Sequence, residues 1–129
     1  MDTVGTIGAM SFSYTPGETA HRTGFSLDTL RYYERIGLLA DVERTPGGQR
    51  KYSDDDIGLL EILRCLRETG MPIQRMREFA DLCRTGDTIT DRIDLLEQHD
   101  RRVRQHIATL EAQRTRLTEK IAYYRDVHS

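Results

Sequence analysis

The chain has 129 residues, a net charge of −2, 31% charged and 37% hydrophobic residues, and two cysteines. That length allows one ordinary domain, or a small domain with an extension, and the hydrophobic fraction is low for a single compact core of this size. Cys65 and Cys83 are too few and too far apart for a disulfide scaffold, a zinc cluster or an iron-sulfur site, and the near-neutral charge rules out binding to polyanions through overall basicity.

Residues 1–13 lack a cationic start followed by a long apolar run, so neither a signal peptide nor a membrane anchor is expected. They read as a floppy leader, with Met10 an alternative start and the protein cytoplasmic, its thiols reduced. Thr15-Pro16-Gly17-Glu18 opens a short helix: Thr15 caps it, Pro16 suits the first turn and Glu18 bonds back, with an end near Thr23-Gly24. Ser26 caps a second helix running to about Arg35, with Leu27 and Leu30 on one face and Gly37 ending it. Two short helices joined by a tight Gly-containing turn read as helix-turn-helix.

Val42 to Tyr52 carries Pro46-Gly47-Gly48 at its centre and predicts a hairpin, the wing. Ser53 and three acids, Asp54 to Asp56, then cap a helix with Ile57, Leu60, Leu63 and Leu66 on one stripe, stopped by Gly70. A fourth helix follows Pro72, with Ile73, Met76, Phe79 and Leu82 or Cys83 turned inward, until Thr85-Gly86-Asp87.

From Ile89 the chain has no Pro or Gly, and apolar residues recur at Ile89, Ile93, Leu96, Val103, Ile107, Leu110, Leu117, Ile121 and Tyr124 in alternating steps of three and four. This is a coiled-coil pattern, interrupted by Asp100 and Arg114, over a rod of roughly 54 Å. Its apolar stripe needs a partner, and a second copy of the chain is the expected one. A parallel pair would oppose Asp100 with Asp100 and Arg114 with Arg114, so antiparallel packing is expected, crossing near Gln105. The fold class is therefore mainly α: a winged helix-turn-helix head with a small β-hairpin wing (14–86), and a long antiparallel coiled-coil dimerisation helix (87–129). The interface residues would be Ile93, Leu96, Val103, Ile107, Leu110, Leu117 and Ile121.

Residues 14–52 hold six cations (Arg22, Arg31, Arg35, Arg44, Arg50, Lys51) against five acids, so duplex binding requires the cations to be gathered on one surface. Arg44, Arg50 and Lys51 flank the wing turn as candidate phosphate clamps, while Gly47 and Gly48 let the backbone approach a groove. Ser26 and Thr29 are further donors, and Tyr52 props the wing against the body.

Thr29-Leu30-Arg31-Tyr32-Tyr33-Glu34 with Ile36-Gly37-Leu38-Leu39, Arg50-x-Tyr52 after the Gly-containing wing, and Asp56-Ile57 opening the next helix resemble the MerR family of bacterial transcription regulators. The resemblance covers residues 14–84, and the terminal helix is similar to that family's antiparallel dimerisation helix. It implies a homodimer on a pseudo-palindromic operator in double-stranded promoter DNA. It also implies activation by bending and untwisting the promoter spacer, with RNA polymerase an indirect partner.

The resemblance places Arg31 and Tyr32 among the DNA-contacting positions, Arg31 on a phosphate or a guanine edge and Tyr32 on a phosphate through its hydroxyl; Tyr33, one step round the helix, is either a further DNA contact or turned toward the core. The text from Leu60 to Asp87 is similar to the aldehyde- and electrophile-responsive branch, which implies a sensor thiol at Cys65, its pKa lowered if Arg64 and Arg67 lie near the sulfur. No cysteine follows Cys83, unlike the metal-sensing branch, so neither metal nor cofactor is expected. A constitutive DNA-binding or partner-recruiting coiled-coil protein is the alternative. An enzyme is disfavoured, because the four histidines lack a companion nucleophile or metal-ligand spacing.

Overall fold

The computed structural model describes residues 12–40 and 42–129; Met10 and the rest of the expected leader up to residue 11 lie outside the described residues. The described chain divides into a head ending at Thr88 and a long C-terminal helix from Ile89.

The head begins with a strand the sequence reading lacked. β1 (Ser13–Tyr14) lies alongside β3 (Arg50–Ser53), which also pairs with β2 (Glu43–Arg44), giving a three-stranded antiparallel sheet in the order β1-β3-β2. Two residues carry too little alternation to announce a strand, and its partner lies about forty positions away. Tyr14 pairs with Tyr52, and the Tyr14 hydroxyl donates to Asp54 Oδ1 at 2.8 Å, which anchors the short strand at its far end.

Helix α1 (Pro16–Thr23) starts with the expected capping box: Thr15 Oγ1 accepts from the Glu18 amide, and Glu18 accepts from the Thr15 amide. It ends where Gly24 enters the left-handed region at φ +81°. Helix α2 (Leu27–Arg35) is capped by Ser26 Oγ on the Thr29 amide and stops at Gly37, after which Leu38 and Leu39 drop into the core. Helix α3 (Asp54–Glu68) opens on a second capping box, Ser53 with Asp56, and helix α4 (Ile73–Arg84) follows Pro72.

The core gathers Leu30, Leu38, Leu39, Tyr52, Leu60, Leu63 and Met76, with Thr19 and Thr23 as its polar members. The predicted stripe of α3, Ile57-Leu60-Leu63-Leu66, is buried in full. The placing of Leu27 with Leu30, and the inward placing of Ile73 and of Leu82 or Cys83, are corrected. Leu27 and Ile73 each open a helix and remain exposed, because a first-turn side chain reaches back past the helix end and not over the core. Leu82 and Cys83 are only partly covered, and Ala80 is the fully buried residue in the second half of α4.

Helix α5 (Ile89–His128) runs unbroken for 40 residues, about 60 Å at 1.5 Å rise per residue. Ile93, Ile107, Leu110, Leu117 and Ile121 of the expected seam are exposed to between 48% and 63%, and Leu96 and Val103 are partly covered. None of the helices among the described residues is long and apolar enough to cross a membrane.

Candidate nucleic-acid interface

Two arginines from outside the helix-turn-helix hold its two helix ends. Arg64 of α3 donates through Nη1 to the Thr23 carbonyl at 2.9 Å, at the C-terminus of α1. Arg84 of α4 donates through Nη1 to the Leu38 carbonyl at 3.3 Å and through Nη2 to the Gly37 carbonyl at 3.1 Å, just past the end of α2. Each places a positive charge near the negative end of a short helix; Arg64 bonds a carbonyl that α1 leaves open, and Arg84 bonds the carbonyls of the turn that follows α2. The reading head is therefore fixed from behind by α3 and α4. The sequence carried no sign of this, since the partners are 41 to 47 residues apart.

Helix α2 presents Arg31 and Tyr32 to solvent, as expected of a reading helix. Arg31 is held by Asp28, one turn earlier, at 2.9 Å, and Tyr32 lies under the Arg35 guanidinium at 5.5 Å. The structure takes Tyr33 off this face: its side chain is 2% exposed, packed edge-on against Phe25 at 5.2 Å, and burial pushes its hydroxyl pKa up. One residue is 100° round a helix, which separates the two adjacent tyrosines into a surface ring and a core ring. The Ser26 hydroxyl is engaged locally, accepting from the Thr29 amide and donating to Thr29 Oγ1 at 2.9 Å. Thr29 itself is partly covered.

The wing is a hairpin with the three-residue loop Pro46-Gly47-Gly48, closed by Gly48 N–H donating to the Thr45 carbonyl at 2.8 Å and Thr45 N–H to the Gln49 carbonyl at 2.7 Å. Gly48, at φ +89°, takes the left-handed position this loop type requires. Gly47 and Gly48 are exposed, so the backbone at the tip is open to a close approach.

Strand register sets Glu43 opposite Lys51, a cross-strand ion pair at 3.4 Å, and Arg44 opposite Arg50. Two arginines directly opposite repel. Glu34 of α2 resolves this: one carboxylate oxygen accepts from Arg50 Nε and the other from Arg44 Nη2 at 3.3 Å. The bond to Glu34 raises the Arg50 pKa further above its already high ordinary value. Glu34 was missed in the sequence because its partners lie 10 and 16 residues on, beyond any helical spacing. Arg31, Arg44, Arg50 and Lys51 thus all belong to the head, and each carries an acidic partner.

Cys65 is exposed on α3 and is not one of its core-packing residues. Neither neighbouring guanidinium is given over to it. Arg64 bonds Glu68 and the Thr23 carbonyl, and Arg67 stacks on Phe25 at 4.9 Å. Cys83 is partly covered, and no group of three or more His, Cys, Asp or Glu among the described residues is arranged to hold a metal ion.

A helix pair locked from behind and an adjacent glycine-tipped hairpin flanked by Arg44, Arg50 and Lys51 define the DNA-reading head of a winged helix-turn-helix regulator. Residues 14–82 match the model of the MerR HTH family regulatory proteins, and the chain belongs to that family of DNA-binding transcriptional regulators. It is 37% identical over 113 residues to an HTH-type transcriptional regulator of Haemophilus influenzae, covering 87% of this chain and 84% of that one. It is 36% identical over 87 residues to the regulator AdhR of Bacillus subtilis, spanning 67% of this chain and 62% of AdhR. Among solved structures it resembles HiNmlR, a MerR family regulator lacking the sensor domain and bound to promoter DNA. That likeness has a TM-score of 0.77 at 35% identity, over 89% of this chain and 92% of the other.

Proposed function

We propose that this protein is a homodimeric transcription activator that grips a pseudo-palindromic promoter spacer and acts by distorting it. The observation that carries the reading is the row of exposed aliphatic side chains on α5, Ile93, Ile107, Leu110, Leu117 and Ile121, which a 40-residue helix cannot cover by itself. A second α5 running antiparallel covers it while keeping Asp100 away from Asp100 and Arg114 away from Arg114. Two heads at the ends of such a rod contact two groove segments of one duplex through Ser26, Thr29, Arg31, Tyr32, Arg44, Arg50, Lys51 and the Gly47-Gly48 tip. Bending and untwisting the DNA between them changes promoter geometry for RNA polymerase at a cost set by the deformability of the spacer. The promoter-bound state of HiNmlR supports the DNA half of this reading.

The signal is proposed to reach the protein through Cys65, whose exposure leaves the thiol open to an aldehyde or other electrophile. A second reading, constitutive DNA binding without a sensor, is favoured by the engagement of Arg64 and Arg67 with partners other than the thiol.

The test combines sedimentation with binding to a duplex selected by the wild-type chain from a randomised pool. A dimer that binds one selected duplex, and bends it in a circular-permutation assay, is expected; Leu110→Asp should give monomers that bind it poorly. A dimeric Leu110→Asp variant would overturn the seam, and an undistorted duplex the mechanism. Loss of aldehyde-induced reporter expression in Cys65→Ser selects the sensor reading, and unchanged expression the constitutive one.

A further inference from the structure

We propose that Glu34 is a specificity-determining residue that restrains the wing's arginines, withholding Arg44 and Arg50 from phosphates until α2 is seated in its groove. This rests on the DNA-binding reading above and adds to it a residue that works against binding. Three observations converge. Arg44 and Arg50 stand opposite each other across β2 and β3, an arrangement that without a counter-charge drives both guanidiniums outward. The two oxygens of Glu34 take one arginine each, so the carboxylate is fully used in holding the pair. The Glu34 side chain is 21% exposed and that of Arg50 27%, so this pair is less screened than Arg31 with Asp28, whose side chains are 51% and 94% exposed.

Glu34 also belongs to the reading helix itself. A carboxylate there, beside the wing, lowers the net charge that Arg44 and Arg50 offer and so weakens their pull on any phosphate that approaches before α2 has docked, whatever the sequence. Sequence-independent affinity comes almost entirely from cations meeting phosphates. A built-in anion that occupies two of those cations therefore lowers binding to random DNA more than binding to a matched site. At the matched site base contacts hold the helix in place, and the arginines exchange one anion for another. The ion pairs thereby convert non-specific grip into discrimination.

Glu34→Gln keeps the side chain's shape and removes its charge. Measured by fluorescence anisotropy on the selected duplex and on its scrambled counterpart, it is expected to raise affinity for the scrambled duplex about two- to fivefold. The slope of log affinity against log salt should steepen there by about one. Affinity for the selected duplex should change less, so that the ratio of the two falls. In an Arg44→Gln/Arg50→Gln background the gain should vanish. Equal losses on both duplexes, no change on the scrambled one, or a gain that persists without the arginines would each overturn the proposal. Should Glu34→Gln lower the melting temperature enough to unfold the head, Glu34→Asp, which shortens the reach, is read in the same way with a smaller rise expected. A wild-type chain that selects no duplex at all sinks the regulator reading and this proposal with it, whereas the outcomes above overturn this proposal alone.

Discussion

The guanidinium of Arg64 lies where a side chain on Gly24 would begin: a Cβ built on Gly24 would sit 1.9 Å from Arg64 Nη1. Gly24 is the turn of the helix-turn-helix, at φ +81°, and Arg64 is the group that bonds the last carbonyl of α1 across it. A glycine is required there for its backbone angle, and a side chain would in addition displace the Arg64 guanidinium from its bond. Gly24→Ala is therefore expected to destabilise the head by about 2 kcal/mol or more. That sum combines the left-handed penalty with disturbance of a charge-assisted hydrogen bond. Urea denaturation checks it, and a loss below about 0.5 kcal/mol, the usual range for surface changes, would show that Arg64 moves aside freely.

The contrast between Leu63 and Cys65 tests the packing of α3. Leu63 is fully buried, whereas Cys65, two residues on, faces outward. Leu63→Ala should cost about 2–5 kcal/mol from lost burial and the cavity left behind. Cys65→Ser should stay within about 0.5 kcal/mol of wild type. A large loss for Cys65→Ser in the same denaturation series would put the thiol inside the fold and remove the basis for an electrophile reaching it.

Those elements that rest on short-range chemistry were legible in the sequence. The Thr15/Glu18 box, the Ser26 and Ser53 caps, the glycine stops at Gly24, Gly37 and Gly70, and the α3 stripe all stand as read. What was not legible depends on residues far apart in the chain. The strand Ser13–Tyr14 exists because Tyr52 and Asp54 are in place to receive it. Glu34, Arg64 and Arg84 have partners 10 to 47 residues away, and nothing local distinguishes them from solvated charges. Tyr32 and Tyr33 show the remaining difficulty: in a nine-residue helix with few apolar residues, periodicity alone leaves open which of two adjacent rings turns inward.

Asp56 makes a prediction about pH. It serves as the third residue of the α3 capping box while half-buried, and burial raises its carboxyl pKa above the ordinary value despite the bonds to Ser53. The folded state therefore holds this proton to higher pH than the unfolded chain does. Between the ordinary and the raised pKa, stability from this group falls as pH rises. Asn at this position does not titrate and still accepts from the Ser53 amide. Wild type should accordingly gain stability relative to Asp56→Asn as pH is lowered from neutrality into the carboxylate range. Melting temperatures of the two proteins measured in parallel check the sign, and a wild-type disadvantage that grows on acidification contradicts the assignment.

Arg31 is an exposed cation of α2 paired with a neighbour on the same helix. Its partner Asp28 sits one turn back on the same helix with a nearly fully exposed carboxylate, an arrangement that contributes little to stability and is easily exchanged. Its place on the outward face of α2, beside Tyr32, suits it to a base edge in the major groove, where an arginine fork matches guanine. Arg31→Ala is expected to lower affinity for the selected duplex by about 1–3 kcal/mol while leaving the scrambled duplex nearly unchanged. A phosphate contact would give a different pattern: a smaller, uniform loss on both duplexes, with the salt slope reduced by about one. Titrations on the two duplexes at two salt concentrations separate these outcomes. A fall confined to the selected duplex identifies Arg31 as a reader of sequence, acting beside wing arginines that supply grip.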